Sequence, residues 1–319
     1  MPHTLDLLVV GDANPDVVLG PLDAPLAFGQ REHLVADGAL TLGGSAAIMA
    51  CGAARLGLRV AFAGRVGDDD AGRYMRDSLR SHGVDTTALY TDPRLPTPLT
   101  VVLTRAEGDR AIVTAPGTLR STTASDVPAD LLAAARHVHA ASYFLLPGLA
   151  AGLPGLLRTA RSNGATTSLD TNDDPSGRWD PPGLDAVLTH TDYLLPNAAE
   201  ARQLAGLDTA DLGESAAALA KRGPTVVVKN GAEGALCHDG RTLLATPGIP
   251  ARPVDTVGAG DSFDAGFVAA LLAGLALPDA LELAAVCGAL STRAHGGTTA
   301  QPTWDEAFAQ VTRNGENPA

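Results

Sequence analysis

Short Val- and Leu-rich runs that stop at a polar or glycine turn recur along this chain, with helical stretches between them, and few folds accept that order. Residues 5–10 form such a run and are followed at once by Gly11-Asp12; others lie at 60–63, 137–140, 166–169, 193–195 and 225–229. Continuous apolar runs of this length suit strands buried on both faces. Helical spacing is legible at 43–56, 68–82, 147–162, 182–189, 213–221, 258–274, 278–293 and 304–312. Gly57 and Gly83 stand just past the first two helices, and Asp68 is placed to cap the second. Strand alternating with helix implies parallel βαβ units, hence a doubly wound, mainly parallel α/β sheet. One region breaks the order. Residues 99–105 and 110–115 are β-prone and flank Ala106-Glu107-Gly108-Asp109, a hairpin signal. The expectation is a single domain over residues 1–319 that carries a small β appendage from about 13–40 and 97–116.

Composition agrees. A chain of 319 residues that is 45% hydrophobic has enough apolar surface for a large core, and 35 glycines with only 4% aromatics suit close helix–sheet packing. The net charge of −13 repels phosphate backbones, so nucleic acid is an unsuitable partner. An anionic ligand must therefore be held by local backbone dipoles and a metal, against the field of the whole molecule. Cys51, Cys237 and Cys287 lie far apart, with no metal-ligand spacing. They read as buried free thiols in a reducing cytoplasm. The start, MPHTLDLLVVGD, reads as a first strand and not as a signal peptide. The longest apolar stretch, 263–290, is interrupted by Asp264, Pro278, Asp279 and Glu282, so no membrane span is expected.

In sheets of this kind ligands bind beyond the carboxyl ends of the strands. Gly11-Asp12, Asp170-Thr171-Asn172, Pro196-Asn197 and Lys229-Asn230-Gly231 all fall at such ends. The sharpest local signal is Asp255-Thr256-Val257-Gly258-Ala259-Gly260-Asp261-Ser262-Phe263-Asp264-Ala265-Gly266-Phe267, a small-residue turn that opens into a helix. The first turn of a helix offers unpaired N–H groups and about half a positive charge. Gly258, Ala259 and Gly260 leave that backbone open to an anion. An acid in the same turn repels phosphate. Asp261 makes chemical sense there as the acceptor of a proton from a nucleophile beside the phosphate; its bland alternative is a helix N-terminal acid.

This segment resembles the C-terminal signature of the ribokinase/PfkB carbohydrate kinases, and further family marks follow in order along nearly the whole chain. Gly43-Gly44 through Met75, with Gly64-Arg65-Val66-Gly67-Asp68-Asp69, resembles the N-terminal signature. Asn197-Ala198-Ala199-Glu200 resembles the family's Asn-x-x-Glu, and Lys229-Asn230-Gly231-Ala232-Glu233-Gly234 the loop under the nucleotide. The resemblance implies an ATP- and Mg²⁺-dependent kinase that acts on a hydroxyl of a sugar-like small molecule. Asp261 is then the general base, with Gly258, Ala259 and Gly260 as its anion hole. Asn197 and Glu200 serve phosphate and the Mg²⁺ hydration shell, and Lys229, Gly231 and Gly234 serve the nucleotide. Asp255 and Val257 fall where the family often binds a monovalent cation such as K⁺, and 292–297 falls near the adenine pocket. The β appendage is then the family's lid, through which subunits often pair as homodimers. No Gly-x-x-x-x-Gly-Lys-[Ser/Thr] and no His-Arg-Asp loop is present, so the better-known nucleotide folds gain no support.

Gly11-Asp12-Ala13-Asn14-Pro15-Asp16 resembles the segment that holds sugar hydroxyls. Asp16 and Asn14, with the Gly43, Gly44 and Ser45 backbone, are the implied substrate contacts; one carboxylate accepts two hydroxyl hydrogen bonds. The chain also departs from ribokinases. Where they carry Lys, Asn and Glu it has Ser45, Ile48 and Leu145, so hydroxyl partners give way to apolar walls and ribose is disfavoured. Arg105 and Arg110 flank the hairpin turn, within reach of an anionic substituent or simply solvated. Asp170-Thr171-Asn172 with Arg178-Trp179 resembles a segment of ketodeoxygluconate and fructose kinases. The rival readings are a nucleoside kinase on the same scaffold and a non-catalytic sugar- or nucleotide-sensing protein.

Overall fold

The computed structural model describes residues 3–105 and 109–316, with side chains to residue 311. In chain order the strands are β1 (Leu5–Val10), β2 (Asn14–Gly20), β3 (Asp37–Gly43), β4 (Val60–Gly67), β5 (Leu89–Asp92), β6 (Leu99–Thr104), β7 (Arg110–Ala115), β8 (Ala135–Ala140), β9 (Thr166–Leu169), β10 (Tyr193–Leu194), β11 (Thr225–Lys229), β12 (Ala235–His238) and β13 (Leu243–Thr246). The helices are α1 (Ser45–Arg55), α2 (Asp70–Ser81), α3 (Ala129–Ala134), α4 (Pro147–Ser162), α5 (Leu184–Leu188), α6 (Ala198–Ala205), α7 (Leu212–Ala220), α8 (Ala259–Leu272), α9 (Leu277–Ser291) and α10 (Trp304–Glu316).

β1 is buried along its whole length, as an apolar run must be, and it lies inside the large sheet. That sheet runs β13-β12-β11-β10-β9-β8-β1-β4-β5. It is parallel from β11 to β5, and β12 and β13 close one edge antiparallel. Because successive side chains alternate across a strand, β1 feeds two cores. Leu7 and Val9 pack with α1, α2, α8 and α9, whereas Leu8 and Val10 pack with α4, α6 and α7 on the other face. Each such buried Leu or Val contributes roughly 1.5–3 kcal/mol. Helices on both faces of a parallel sheet are the doubly wound architecture that the alternation implies. Its parallel strands end on one side, at Asp12, Asp170, Asn197 and Lys229.

A second sheet, β3-β2-β6-β7, stands over that edge. Thr100, Val102, Ile112 and Thr114 face the strand ends, and β7 is exposed throughout. Turn residues 106–108 lie outside the described residues. Cys51, Cys237 and Cys287 are free and buried. Among the described residues no helix is long and apolar enough to cross a membrane.

Several boundaries move. Gly43 closes β3 opposite Asn14 and does not open α1, and Gly44 is the N-cap with φ 86°. α2 is capped by Asp69, not Asp68. The Asp69 carboxylate accepts the Gly72 N–H at 2.8 Å, and Asp68, one residue too early, faces Arg73 instead. β5 and α6 were not expected. β5 is a four-residue edge strand with no alternation, and α6 takes its start from Asn197, whose side chain accepts the Ala199 and Glu200 N–H groups.

Candidate active site

The strand ends and two helix starts enclose a cleft of about 1550 Å³. Asp12, Asn14, Asp16, Gly44, Ser45, Asn197, Glu200, Lys229, Gly231, Val257, Gly258, Gly260 and Asp261 line it. Four of the expected residues do not. Gly43 lies behind the wall, where a Cβ would fall 2.2 Å from the Asp16 carboxylate. The glycine is what lets that carboxylate rest against backbone. Gly234 abuts the Thr246 carbonyl and serves the β12–β13 hairpin. The Ala259 N–H is directed to the Thr256 carbonyl at 3.3 Å. Asp255 turns away to accept the Val257 and Gly296 N–H groups at 3.0 and 2.9 Å, which ties 255–258 to the 292–297 segment.

At one end of the cleft, Asn14 Nδ2 donates to Asp16 Oδ1 at 2.8 Å and to Thr100 Oγ1 at 3.0 Å. Burial, then the Asp12 charge, push the Asp16 carboxyl up to about 7, against the hydrogen bond from Asn14. At the other end α8 begins at Gly258, whose φ of 73° an L side chain rarely adopts, with no side chain capping it. The helix N-terminus thus faces the cleft with no side chain on its first N–H groups from the cap position. Asp261, in the first turn, is buried, and burial pushes its carboxyl up to about 8. Asp170 and Asp12 push the same way, while Lys229 and a hydrogen bond from Ser45 oppose them. A carboxylate poised near neutrality, beside an open helix start, is suited to taking a proton.

Glu200 caps α6 reciprocally with Asn197. Its carboxylate accepts the Asn197 N–H at 2.8 Å and the Asn197 amide at 2.7 Å. Burial, with Asp170 next, pushes the Glu200 carboxyl up to about 7. Lys229 is turned inward, and its ammonium lies 2.7 Å from Asp170 and 3.1 Å from both oxygens of Asp264.

Four polar residues complete the floor that the motifs did not assign. Asp12 caps α1 from the end of β1, accepting the Ser45 and Ala46 N–H groups at 3.2 and 3.1 Å. Asn172 accepts the Ser142 N–H at 2.8 Å and donates to Ser45 Oγ at 2.6 Å. Asn172 and Ser142 both hold positive φ, 56° and 60°, a strain that is kept where surrounding structure demands it. Asp170 and Asp264 are the partners of Lys229. The available signals were a lysine ending a Val run that must be buried, and an acid one helical turn after Asp261.

Comparisons with known proteins bear on the fold and the family. The chain is 31% identical over 290 residues to the 2-dehydro-3-deoxygluconokinase of Bacillus subtilis, covering 85% of this chain and 86% of that one. It is 32% identical over 303 residues to the ATP-dependent ribose-1-phosphate kinase of Halopiger xanaduensis, covering 95% and 97%. The Arabidopsis thaliana ribokinase, solved with ribose and ATP, superposes with a TM-score of 0.84 at 24% identity over 98% of this chain and 99% of that one. Residues 4–304 match the model of the pfkB family of carbohydrate kinases, and the chain belongs to that family.

Proposed function

We propose that this carbohydrate kinase binds a sugar-like substrate between Asp16 and Asp261 and transfers the γ-phosphoryl of ATP to its hydroxyl, with Asp261 as general base. The observation that carries this reading is the buried Asp261 carboxyl in the open first turn of α8, on the same cleft as Asp16. Asp16, steadied by Asn14, accepts hydroxyl hydrogen bonds. The Gly258 and Gly260 backbone, at the positive end of α8, holds the charge that develops on the phosphoryl oxygens. Asp261 takes the hydroxyl proton as the acceptor oxygen attacks in line.

Mg²⁺ fits this site. Glu200 is a buried carboxylate on the cleft that no side-chain cation neutralises at contact distance among the described residues. Glu200 and Asn197 would hold the ion's water shell, and the ion supplies charge neutralisation on the phosphates when bound. Asp255, paired among the described residues to backbone N–H groups, and the Val257 carbonyl are the proposed seat of a monovalent cation such as K⁺. The small sheet acts as a lid that excludes water. Its exposed Leu40, Leu99 and Val113 give it an apolar outer face for pairing with a second subunit.

The test is ADP release from Mg-ATP across neutral sugars, polyols, sugar acids, sugar phosphates and nucleosides, run beside Asp261→Asn. Arg110, Arg120 and Arg178 line the cleft in a strongly acidic protein, which is why anionic sugars belong in that panel. Ile48, an apolar group on the same wall, is why nucleosides do. A substrate-dependent signal that the variant abolishes supports the reading; a signal that survives in the variant overturns it.

A further inference from the structure

On the floor of the cleft three carboxylates and one ammonium lie together: Asp170, Asp261 and Lys229 line it, and Asp264 is buried behind them. Asp170 follows β9, Lys229 ends β11, and Asp261 and Asp264 stand one turn apart on α8. One oxygen of each of the three acids lies within 4.8 Å of the others. Such an acidic group would attract a metal ion were its centre open. Here the Lys229 ammonium already pairs with two of the three acids, 2.7 Å from Asp170 and 3.1 Å from both Asp264 oxygens. The side chain of Lys229 also passes under the helix start: a Cβ built on Gly260 would lie 3.5 Å from its Nζ.

We propose that Lys229 is a positioning residue for phosphoryl transfer: clamped between Asp170 and Asp264, it locks the first turns of α8 to the strand ends and supplies the buried positive charge beside Asp261. This rests on Asp261 being the base. A buried ion pair adds little net stability, but removing one partner strands the others. The clamp joins two strand ends to the helix that carries Asp261, and this fixes where the proton acceptor stands relative to the Gly258–Gly260 turn. It also sets the charge there. The groups facing Asp261 are Asp170 from β9, Asp12 from β1, Asp264 on its own helix, the Ser45 hydroxyl from α1, and Lys229. Asp170, Asp12 and Asp264 favour the protonated acid. Lys229 is the cation that favours the carboxylate, and one ammonium cannot neutralise three acids. Asp170 is accordingly held low, while Asp264 and Asp261 are held high.

The test compares wild type with Lys229→Met at saturating Mg-ATP, reading kcat and kcat/KM for the best substrate against pH, with ATP affinity and melting temperature as controls. With the cation gone, Asp261 holds its proton to higher pH. The acid limb of kcat/KM therefore moves upward by about one unit, and kcat at neutral pH falls roughly 10–100-fold while ATP affinity changes little. Lys229→Ala behaves alike, and added ethylammonium, but not sodium at equal ionic strength, restores rate and limb together. Where Lys229→Met does not fold, Lys229→Gln, whose amide can still meet Asp170, gives the same readout. An unmoved limb overturns the proposal, whether the rate is kept or lost. So does a loss explained by weaker ATP binding. If Asp261→Asn keeps activity, it is the base assignment that has failed, and the two failures are thereby told apart.

Discussion

The two banks of the cleft are built on opposite plans. On the α8 side the acidic groups sit in the interior: Asp261, Asp264 and Asp170 are buried, and a lysine from the end of β11 pairs with the last two. On the other side a four-stranded sheet, exposed along all of β7 and the first half of β3, turns Asn14, Asp16 and Thr100, with Val102, Ile112 and Thr114, toward the cleft. Rigidity is placed where charge moves and where an error of an ångström costs rate. The thin sheet has to recognise a ligand, and its water-facing side leaves its composition free to change without disturbing the core. Such a division lets a family keep one reaction while its substrates differ.

The largest effect should come from the rigid bank. Asp261→Asn keeps shape and removes the proton acceptor, and kcat should fall by about 10²–10⁴ with little change in melting temperature. In wild type, kcat/KM should rise with pH, because the acceptor must be deprotonated and burial holds it near 8. A profile flat from pH 6 to 9 would count against Asp261 as base. The next effect belongs to the thin bank. Gly43→Ala places a methyl 2.2 Å from the Asp16 carboxylate, which must swing away from its seat beside Asn14. KM for the substrate should rise about 10-fold, the worth of a hydrogen bond to a charged group, with kcat within a few-fold. A fall confined to kcat would mean that this bank takes part in the chemistry and that the contrast is drawn in the wrong place.

The same contrast decided what could be read from the chain. Interior strands announce themselves, since residues 7–10 and 226–228 are apolar on both faces, and Gly258 holds a φ of 73° that favours glycine. The mainly parallel sheet, and a helix opening at the 258–260 turn, followed from those local demands. The edges did not. β5 is four residues with no alternation of burial for a periodicity to find, and β3 is polar or exposed over most of its length. Lys229 was legible as a strand end but not as the partner of Asp170 and Asp264, because residues 59 and 35 positions away meet it only in the folded chain. Gly43 and Gly44 looked like the opening of a helix. The reason for Gly43 is a carboxylate 27 positions earlier, and no local pattern records that.

The smallest expected effect lies away from both banks and serves as their control. Asp69 caps α2 and also accepts the Thr97 N–H and hydroxyl, at 2.8 and 2.6 Å, so it pins the approach to β6 from below the thin sheet. Burial pushes its carboxyl up, but the hydrogen bonds from Thr97 and Gly72 outweigh that and hold it below the ordinary range. A carboxyl held low in the folded state stabilises the fold above its unfolded pKa, and that contribution is lost as pH falls through the folded value. Asp69→Ala should therefore cost about 1 kcal/mol at pH 7, or roughly 2 °C in Tm, and the gap to wild type should narrow on acidification. Both kinetic constants should stay within about two-fold, as for substitutions that touch no shared partner. If KM alone rises, the thin sheet depends on its anchor at Thr97 to present Asp16, and the recognition bank extends down to α2. If kcat falls as well, the two banks are mechanically one, and the division of labour between them would have to be given up.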